Sequence, residues 1–218
     1  MAFAVYDYRT VNKNVLVTPE IRARLYHMQP GQVDGRHSHD LGHEVFLILE
    51  GKAEFNIDGH VEVLGPGQMC VALADEIHQV RNLLPDAPTI MYLSVTPHIQ
   101  PTHTGRTEDD QRQPPFFRPN AGYDDPDPGR PLDAILDDQL QALRSLAQEA
   151  ENALQLQSDQ AMRWRQAAAG GKRDAAAAAR TEMSAAIYRL HKALSAVSKT
   201  WNELAPRGED RPIPSATE

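Results

Sequence analysis

The sequence has very little cysteine, because Cys70 is the only one among its 218 residues. A single thiol cannot form a disulfide within the chain, and it fits a reducing compartment. No apolar run approaches the roughly 18 residues that a membrane span requires. Residues 1–8 also lack the basic and apolar regions of a secretory signal. We therefore expect a cytoplasmic protein with no membrane partner.

The sequence also lacks an excess of positive charge. Its formal net charge is -8 at pH 7, and no basic stripe of the kind that binds a nucleic-acid duplex is visible. No helix-turn-helix segment precedes the strand-rich region, which argues against a transcription regulator. We therefore expect a small-molecule partner and no nucleic acid.

The first region, residues 1–98, contains short runs of Val, Ile, Leu and aromatic residues separated by Gly, Pro, Asn and Asp. This pattern is typical of short strands joined by turns, as in a β-barrel or sandwich. Asp58-Gly59 predicts a tight hairpin, because that turn requires positive φ. Strands are predicted at 15–17, 21–28, 43–49, 52–57, 60–64, 69–73, 78–82 and 89–96.

The second region, residues 99–131, is rich in proline: half of the sixteen prolines fall between 97 and 131. Proline fixes φ and removes a backbone donor, so neither a central strand nor a long helix is expected. The segment is either a plain linker or an ordered strap across the barrel, with Phe116, Phe117 and Tyr123 as anchors. His98 and His103 are expected to be solvated loop residues.

The third region, residues 132–206, has helical periodicity, and residues 207–218 are predicted to form a disordered tail. Gly170-Gly171 predicts a turn between two long helices, which then form an antiparallel hairpin. The hairpin should pack on the barrel or, as we favour, on a second subunit as in coiled coils and bundles; a free helical arm is the alternative. The predicted apolar seams are Leu136, Leu140, Leu143, Ala147, Ala150, Leu154, Ala161, Trp164 and Ala168, then Met183, Ile187, Leu190, Leu194, Val197, Trp201 and Leu204.

Four residues in the first region suggest a metal site. His37 and His39 are two residues apart, so on a strand both imidazoles point to one face. Glu44 follows a short bend and begins a strand, and His78 begins another. Three imidazoles and a carboxylate form a mixed donor set suited to Fe, Mn, Ni, Cu or Zn. Four protein ligands leave two open positions on an ion that prefers six.

The stretch from Gly31 to Gly51 resembles the first conserved motif of the cupin family, because it reads Gly-x5-His-x-His-x4-Glu-x6-Gly. Pro66-Gly67, followed by His78-x3-Asn82, is similar to the second motif, although the usual proline shortly before the histidine is absent. The resemblance implies a double-stranded β-helix, or jelly-roll, barrel with one divalent metal ion inside. It implies that His37, His39, Glu44 and His78 are the ligands.

Taken together, the sequence predicts a mainly β fold, a jelly-roll barrel followed by an antiparallel two-helix hairpin, and a homodimer. His43 should point away from Glu44 and be a structural or surface residue. Cys70 is expected to be a buried apolar thiol rather than a ligand. Tyr26 and Met28 could line the cavity, but core packing is the role we expect for them.

Three functions are compatible with such a site. The favoured one is a dioxygenase with Fe(II), in which Glu44 could also act as a base on a substrate hydroxyl. The second is a metal-dependent isomerase, epimerase or lyase, in which the ion polarises a carbonyl of a sugar or small acid. The third is a non-catalytic small-molecule-binding barrel whose helical hairpin binds a partner.

Overall fold

The computed structural model describes residues 3–117 and 129–208. Within these ranges the chain forms ten strands, two long helices and the short 3₁₀ helix Ala205–Gly208. The strands are β1 (Lys13–Val17), β2 (Arg22–Met28), β3 (His37–Ser38), β4 (His43–Glu50), β5 (Ala53–Ile57), β6 (His60–Leu64), β7 (Met69–Ala72), β8 (His78–Asn82), β9 (Thr89–Thr96) and β10 (Thr104–Gly105). The helices are α1 (Leu132–Ala169) and α2 (Arg173–Leu204).

The chain divides into two compact units, one of residues 1–126 with 205–218 and one of residues 127–204. The boundaries that we predicted between the strand-rich, proline-rich and helical regions and the tail, at residues 98, 131 and 206, stay predictions. Tyr123 and most of the predicted disordered tail lie outside the described residues.

The strands of the first unit form two antiparallel five-stranded sheets. One sheet has the order β1-β2-β9-β4-β7 and the other has the order β10-β3-β8-β5-β6. All eight predicted strands are present, with ends within two residues of the prediction. The very short strands β3 and β10 were not predicted, because two residues give no alternation to detect. The predicted jelly-roll barrel with a helical hairpin after it is confirmed.

One apolar cluster fills the space between the two sheets. On β4 the side chains alternate, so that Glu44, Phe46 and Ile48 are buried on one face. The Phe46 ring lies 5.1 Å from the ring of Phe55, which belongs to the other sheet. The cluster consists of Met28, Phe46, Ile48, Ala53, Phe55, Leu64, Ala72, Val80, Met91 and Leu93. The predicted core position of Met28 is thereby confirmed.

The proline-rich segment is ordered from residue 97 to residue 117. Strand β10 pairs with β3 in the second sheet, and the Arg36 guanidinium forms an ion pair with Asp110. Arg112 donates to the Asp40 carboxylate at 2.6 Å. For these residues the strap describes the structure better than a plain linker. The expected solvated position is wrong for His98, which is fully buried, because the strap folds back onto the barrel.

The second unit is the predicted antiparallel helical hairpin. Helix α1 ends at Ala169, and Gly171 adopts a φ of 65° in the turn before α2. That left-handed conformation favours glycine. Along the hairpin the Gln157 side-chain amide donates to the Met183 carbonyl at 2.9 Å. No helix among the described residues is both long and apolar enough to cross a bilayer.

The apolar seam predicted for α1 does not lie between the two helices. The inner face of α1 is marked by the buried residues Ile135, Ala153 and Ala167, which each precede a predicted seam position by one residue. Leu136 and Leu154 of the predicted seam are 40% and 70% exposed. Alanines at the contact let the two backbones approach closely, so the leucines face outward.

A substitution at Gly51 tests the packing of the turn after β4. Gly51 has a φ of 88°, and a Cβ there would lie 2.7 Å from Thr89 Oγ1 and 2.8 Å from Thr89 Cα. We expect Gly51→Ala to lower the unfolding free energy of the barrel by about 2–4 kcal/mol, through positive φ and overpacking together. Amide hydrogen exchange of barrel peptides, read by mass spectrometry, measures the loss.

Gly59→Ala is the matched control. Gly59 has a φ of 82°, but no atom lies within 4 Å of the position that a Cβ would take. It should therefore cost only the roughly 1–2 kcal/mol of the left-handed conformation. Equal losses in the two variants would contradict the close contact with Thr89.

Candidate metal centre

The four predicted ligands come from three strands of the two sheets. His37 on β3 is paired directly with His78, the first residue of β8. His39 follows β3, and Glu44 extends from β4 in the opposite sheet. Their ligand atoms all lie within 4.8 Å of one another, and together they form a group that could hold a metal ion. The fold thus brings all four residues together inside the barrel.

The Glu44 carboxylate lies at the centre of the group. Its Oε2 atom lies 2.9 Å from His39 Nε2 and 3.0 Å from His78 Nε2. The distance to His37 Nε2 is 3.8 Å. Glu44, His39 and His78 are almost completely buried, whereas the side chain of His37 is 18% exposed. His37 is therefore the candidate ligand nearest to solvent.

Backbone carbonyls fix the orientation of all three imidazoles. A carbonyl oxygen can only accept, so each Nδ1 carries the proton and each Nε2 presents a lone pair toward Glu44. This is the arrangement by which proteins usually orient histidines that bind metal ions. The bonds run from His37 to Gly35 (2.8 Å), from His39 to Thr102 (2.5 Å) and from His78 to Glu76 (2.9 Å).

The residues fit a divalent cation. Lone pairs of two imidazoles face a carboxylate oxygen at hydrogen-bond distance, and such atoms repel unless a proton or a cation lies among them. His37 Nε2 is buried and, among the described residues, donates to or accepts from no neighbour. The three nitrogens and one oxygen suit a first-row transition metal.

The electrostatic environment favours the states in which these groups bind metal. Burial by itself would raise the pKa of Glu44, but the neighbouring imidazoles, His39 first among them, hold it well below its usual value. Burial is the main cause that lowers the pKa of His37. A carboxylate and a neutral imidazole are the forms that coordinate a metal ion.

Two residues near the site were not predicted as part of it. Arg22, which is 3% exposed, places NH2 3.7 Å from Glu44 Oε1. The His103 ring lies 4.8 Å from the ring of His37 and 4.7 Å from that of His39, between centroids. The expected solvated position is therefore wrong for His103 as well. Arg22 could have been found from the sequence only with the sheet register, because Arg22 and Glu44 both pair with Val95 on β9.

The other residues considered from the sequence lie outside the group of four. His43 is exposed, and its Nδ1 accepts a bond from the Ala74 amide at 2.9 Å, so it is structural as predicted. Cys70 packs against the core, and burial raises its pKa to about 12. Tyr26 also packs against the core, and its hydroxyl donates to Asp34 at 2.9 Å.

Solved structures with some similarity come from several bacteria. An uncharacterized protein with a double-stranded β-helix domain from Klebsiella pneumoniae is 24% identical and has a TM-score of 0.40; the match covers 44% of this chain and 91% of that one. The protein TT1209 from Thermus thermophilus is 26% identical and has a TM-score of 0.38; the match covers 43% of this chain and 90% of that one. A cupin protein from Bacteroides fragilis is 21% identical and has a TM-score of 0.39; the match covers 44% of this chain and 83% of that one.

No curated protein sequence matches the chain significantly. The family model of the cupin domain, Cupin_2, matches residues 24–95, which run from the third residue of β2 to the penultimate residue of β9 and include all four residues of the site. This match, the motifs and the two-sheet barrel agree that residues 24–95 form a cupin domain.

Proposed function

We propose that this chain is a mononuclear metal-dependent enzyme, with His37, His39, Glu44 and His78 as the ligands of one divalent ion. The observation that supports this most directly is the convergence of three imidazole Nε2 atoms on Glu44, with each Nδ1 bonded to a backbone carbonyl. We propose Fe(II) as the ion and a dioxygenase reaction on a small organic substrate as the activity.

The donor set supports this assignment. Four protein ligands leave two positions on an ion that prefers six, which is enough for O2 and substrate. When bound, the ion would supply the redox chemistry by which these two react. Manganese, nickel, zinc and copper are compatible with the same donors, so the metal content decides among them.

The residues around the donors have defined tasks in this proposal. Phe46 packs with its ring 5.9 Å from the His78 ring and excludes water from the inner side of the site. Arg22 lies beside Oε1 of Glu44, and His39 and His78 lie beside Oε2. Glu44 would also be the group that accepts a proton from a substrate hydroxyl.

A non-oxidative reaction is the second candidate, because Arg22 provides a buried cation next to the site. In an isomerase, epimerase or lyase, a guanidinium in this position would stabilise the negative charge that develops on an enediolate oxygen.

The predicted cytoplasmic location and the predicted homodimer stay predictions. We assign the dimer contact to the helical hairpin.

The first prediction concerns metal content. Protein purified without an affinity tag should contain close to one metal ion per chain, measured by inductively coupled plasma mass spectrometry. His37→Ala and His78→Ala should each lower the content at least tenfold, because both remove a nitrogen donor. His60→Ala is the matched control, since His60 is an exposed histidine on β6.

Metal-free wild-type protein after anaerobic reconstitution would contradict the proposed site. Equal metal contents in His37→Ala and His60→Ala would contradict the assignment of His37 as a ligand.

The second prediction separates the candidate reactions. Protein reconstituted with Fe(II) should consume O2 in the presence of phenolic, thiol or diketone compounds, measured with an oxygen electrode. The rate should fall at least a hundredfold in His37→Ala and stay unchanged in His60→Ala. Turnover of a sugar or hydroxy acid without O2 consumption would instead favour the isomerase or lyase. A metal-loaded protein inactive in both assays would favour the non-catalytic binding module.

A further inference from the structure

The segment of residues 36–40 has two sides with different roles. His37 and His39 point toward Glu44 inside the barrel, because residues two apart on an extended chain share one face. The three residues that alternate with them contact the strap, the ordered segment of residues 97–117. Side-chain contacts join Arg36 to Asp110, Ser38 to Arg106 and Asp40 to Arg112. Two of the four candidate ligands therefore lie on a segment whose other side holds the strap.

Two of these contacts are ion pairs at the surface of the barrel. The Arg36 guanidinium donates to both carboxylate oxygens of Asp110. Arg112 donates to the Asp40 carboxylate at 2.6 Å. The side chains of Asp110 and Arg112 are 44% and 57% exposed. Pairs exposed to this degree contribute little individually and are screened by salt, so the strap can detach while the core of the barrel stays folded.

Backbone pairing holds the same segment from two directions. His37 on β3 pairs with His78 of β8 on one side and with Gly105 of β10, which belongs to the strap, on the other. His39 donates from Nδ1 to the Thr102 carbonyl of the strap at 2.5 Å. Detachment of the strap would leave β3, which has two residues, with a neighbour on one side only. It would also remove the acceptor that orients the His39 imidazole.

The strap lies on the side from which an ion can reach the site. On the inner side, Phe46 belongs to the apolar core and its ring lies 5.9 Å from that of His78. His37 is the candidate ligand nearest to solvent, and the ring of His103, a strap residue, lies 4.8 Å from its ring. An ion that leaves the site past His37 therefore passes the strap.

We propose that the strap is a latch on the metal centre, and that an ion enters or leaves when the strap detaches from residues 36–40. This inference rests on the proposed metal site and adds how that site exchanges its ion. Detachment loosens His37 and His39 together, because they share one short segment, so two of the four protein donors are weakened in one step. Asp110 and Arg112 are positioning residues in this latch, since they hold the segment that carries the two donors.

Release of Co(II) into excess EDTA tests the latch on the full-length protein, with the visible absorption of Co(II) as the readout. A double variant with Asp110→Asn and Arg112→Gln removes one charge from each ion pair and leaves every candidate ligand in place. Asparagine also tolerates the φ of 61° that Asp110 adopts. The double variant should release Co(II) roughly three- to thirtyfold faster than the wild type, within the range for two partly exposed pairs. Its spectrum before EDTA is added should match that of the wild type, because the donors are unchanged.

Salt and hydrogen exchange distinguish a latch from a general loss of stability. Because salt screens exposed ion pairs, raising sodium chloride from about 0.05 M to about 0.5 M should accelerate release from the wild type. The double variant should lose most of this acceleration. Its amides in residues 102–112 should exchange faster, while those of the core strands keep their wild-type rates.

Glu54→Gln is the matched control, because Glu54 forms an ion pair of 3.8 Å with Arg81 and lies on β5, which β3 and β8 separate from β10. It should release Co(II) like the wild type. Release at the wild-type rate from the double variant, faster release without faster exchange of the strap amides, or equal acceleration in Glu54→Gln would overturn the latch and leave the metal site standing. Wild-type protein that binds no Co(II) would overturn both.

Discussion

The burial of the Glu44 carboxylate constrains much of the barrel around it. A carboxylate removed from water requires a donor, a shared proton or a cation at its oxygens. His39 and His78 lie beside one oxygen and Arg22 beside the other. These partners come from both sheets, so the sheets must pair in one register for the charge to be compensated. A slip of one residue along β4 would turn Glu44 and Phe46 to the outside together. The packing of the core and the position of the site residue therefore depend on the same strand register.

The four candidate ligands could be brought together from the sequence alone because their geometry is local. His37 and His39 share a face by strand alternation alone, and the motif spacing supplies Glu44 and His78. Arg22 could not be predicted in the same way, since it meets Glu44 only through the pairing of β2 and β4 with β9. His103 reaches the site through a proline-rich segment that has no periodicity, so no pattern in the sequence indicates where its side chain lies.

The helices illustrate a different limit of the sequence. Periodicity predicted two long helices and their turn at Gly170-Gly171 correctly, but it did not reveal which stripe faces the neighbouring helix. The most apolar stripe of α1 consists largely of leucines. The residues of α1 that are buried include Ala153 and Ala167, which do not belong to that stripe. Close approach of two helices favours small side chains, and a hydrophobicity pattern gives alanine little weight. The large leucine side chains of α1 are therefore exposed, next to a contact between the helices that small alanine side chains form.

The bond from His39 to the Thr102 carbonyl has a consequence for how this centre can change over evolution. Thr102 lies outside residues 24–95, the segment that matches the cupin family model. A carbonyl oxygen is supplied by any residue, so the side chain at this position is free to vary while the bond persists. Insertions or deletions in the strap, in contrast, would move the carbonyl and tilt the imidazole. The donor strength of one histidine is thus adjustable by loop length, with every ligand left unchanged.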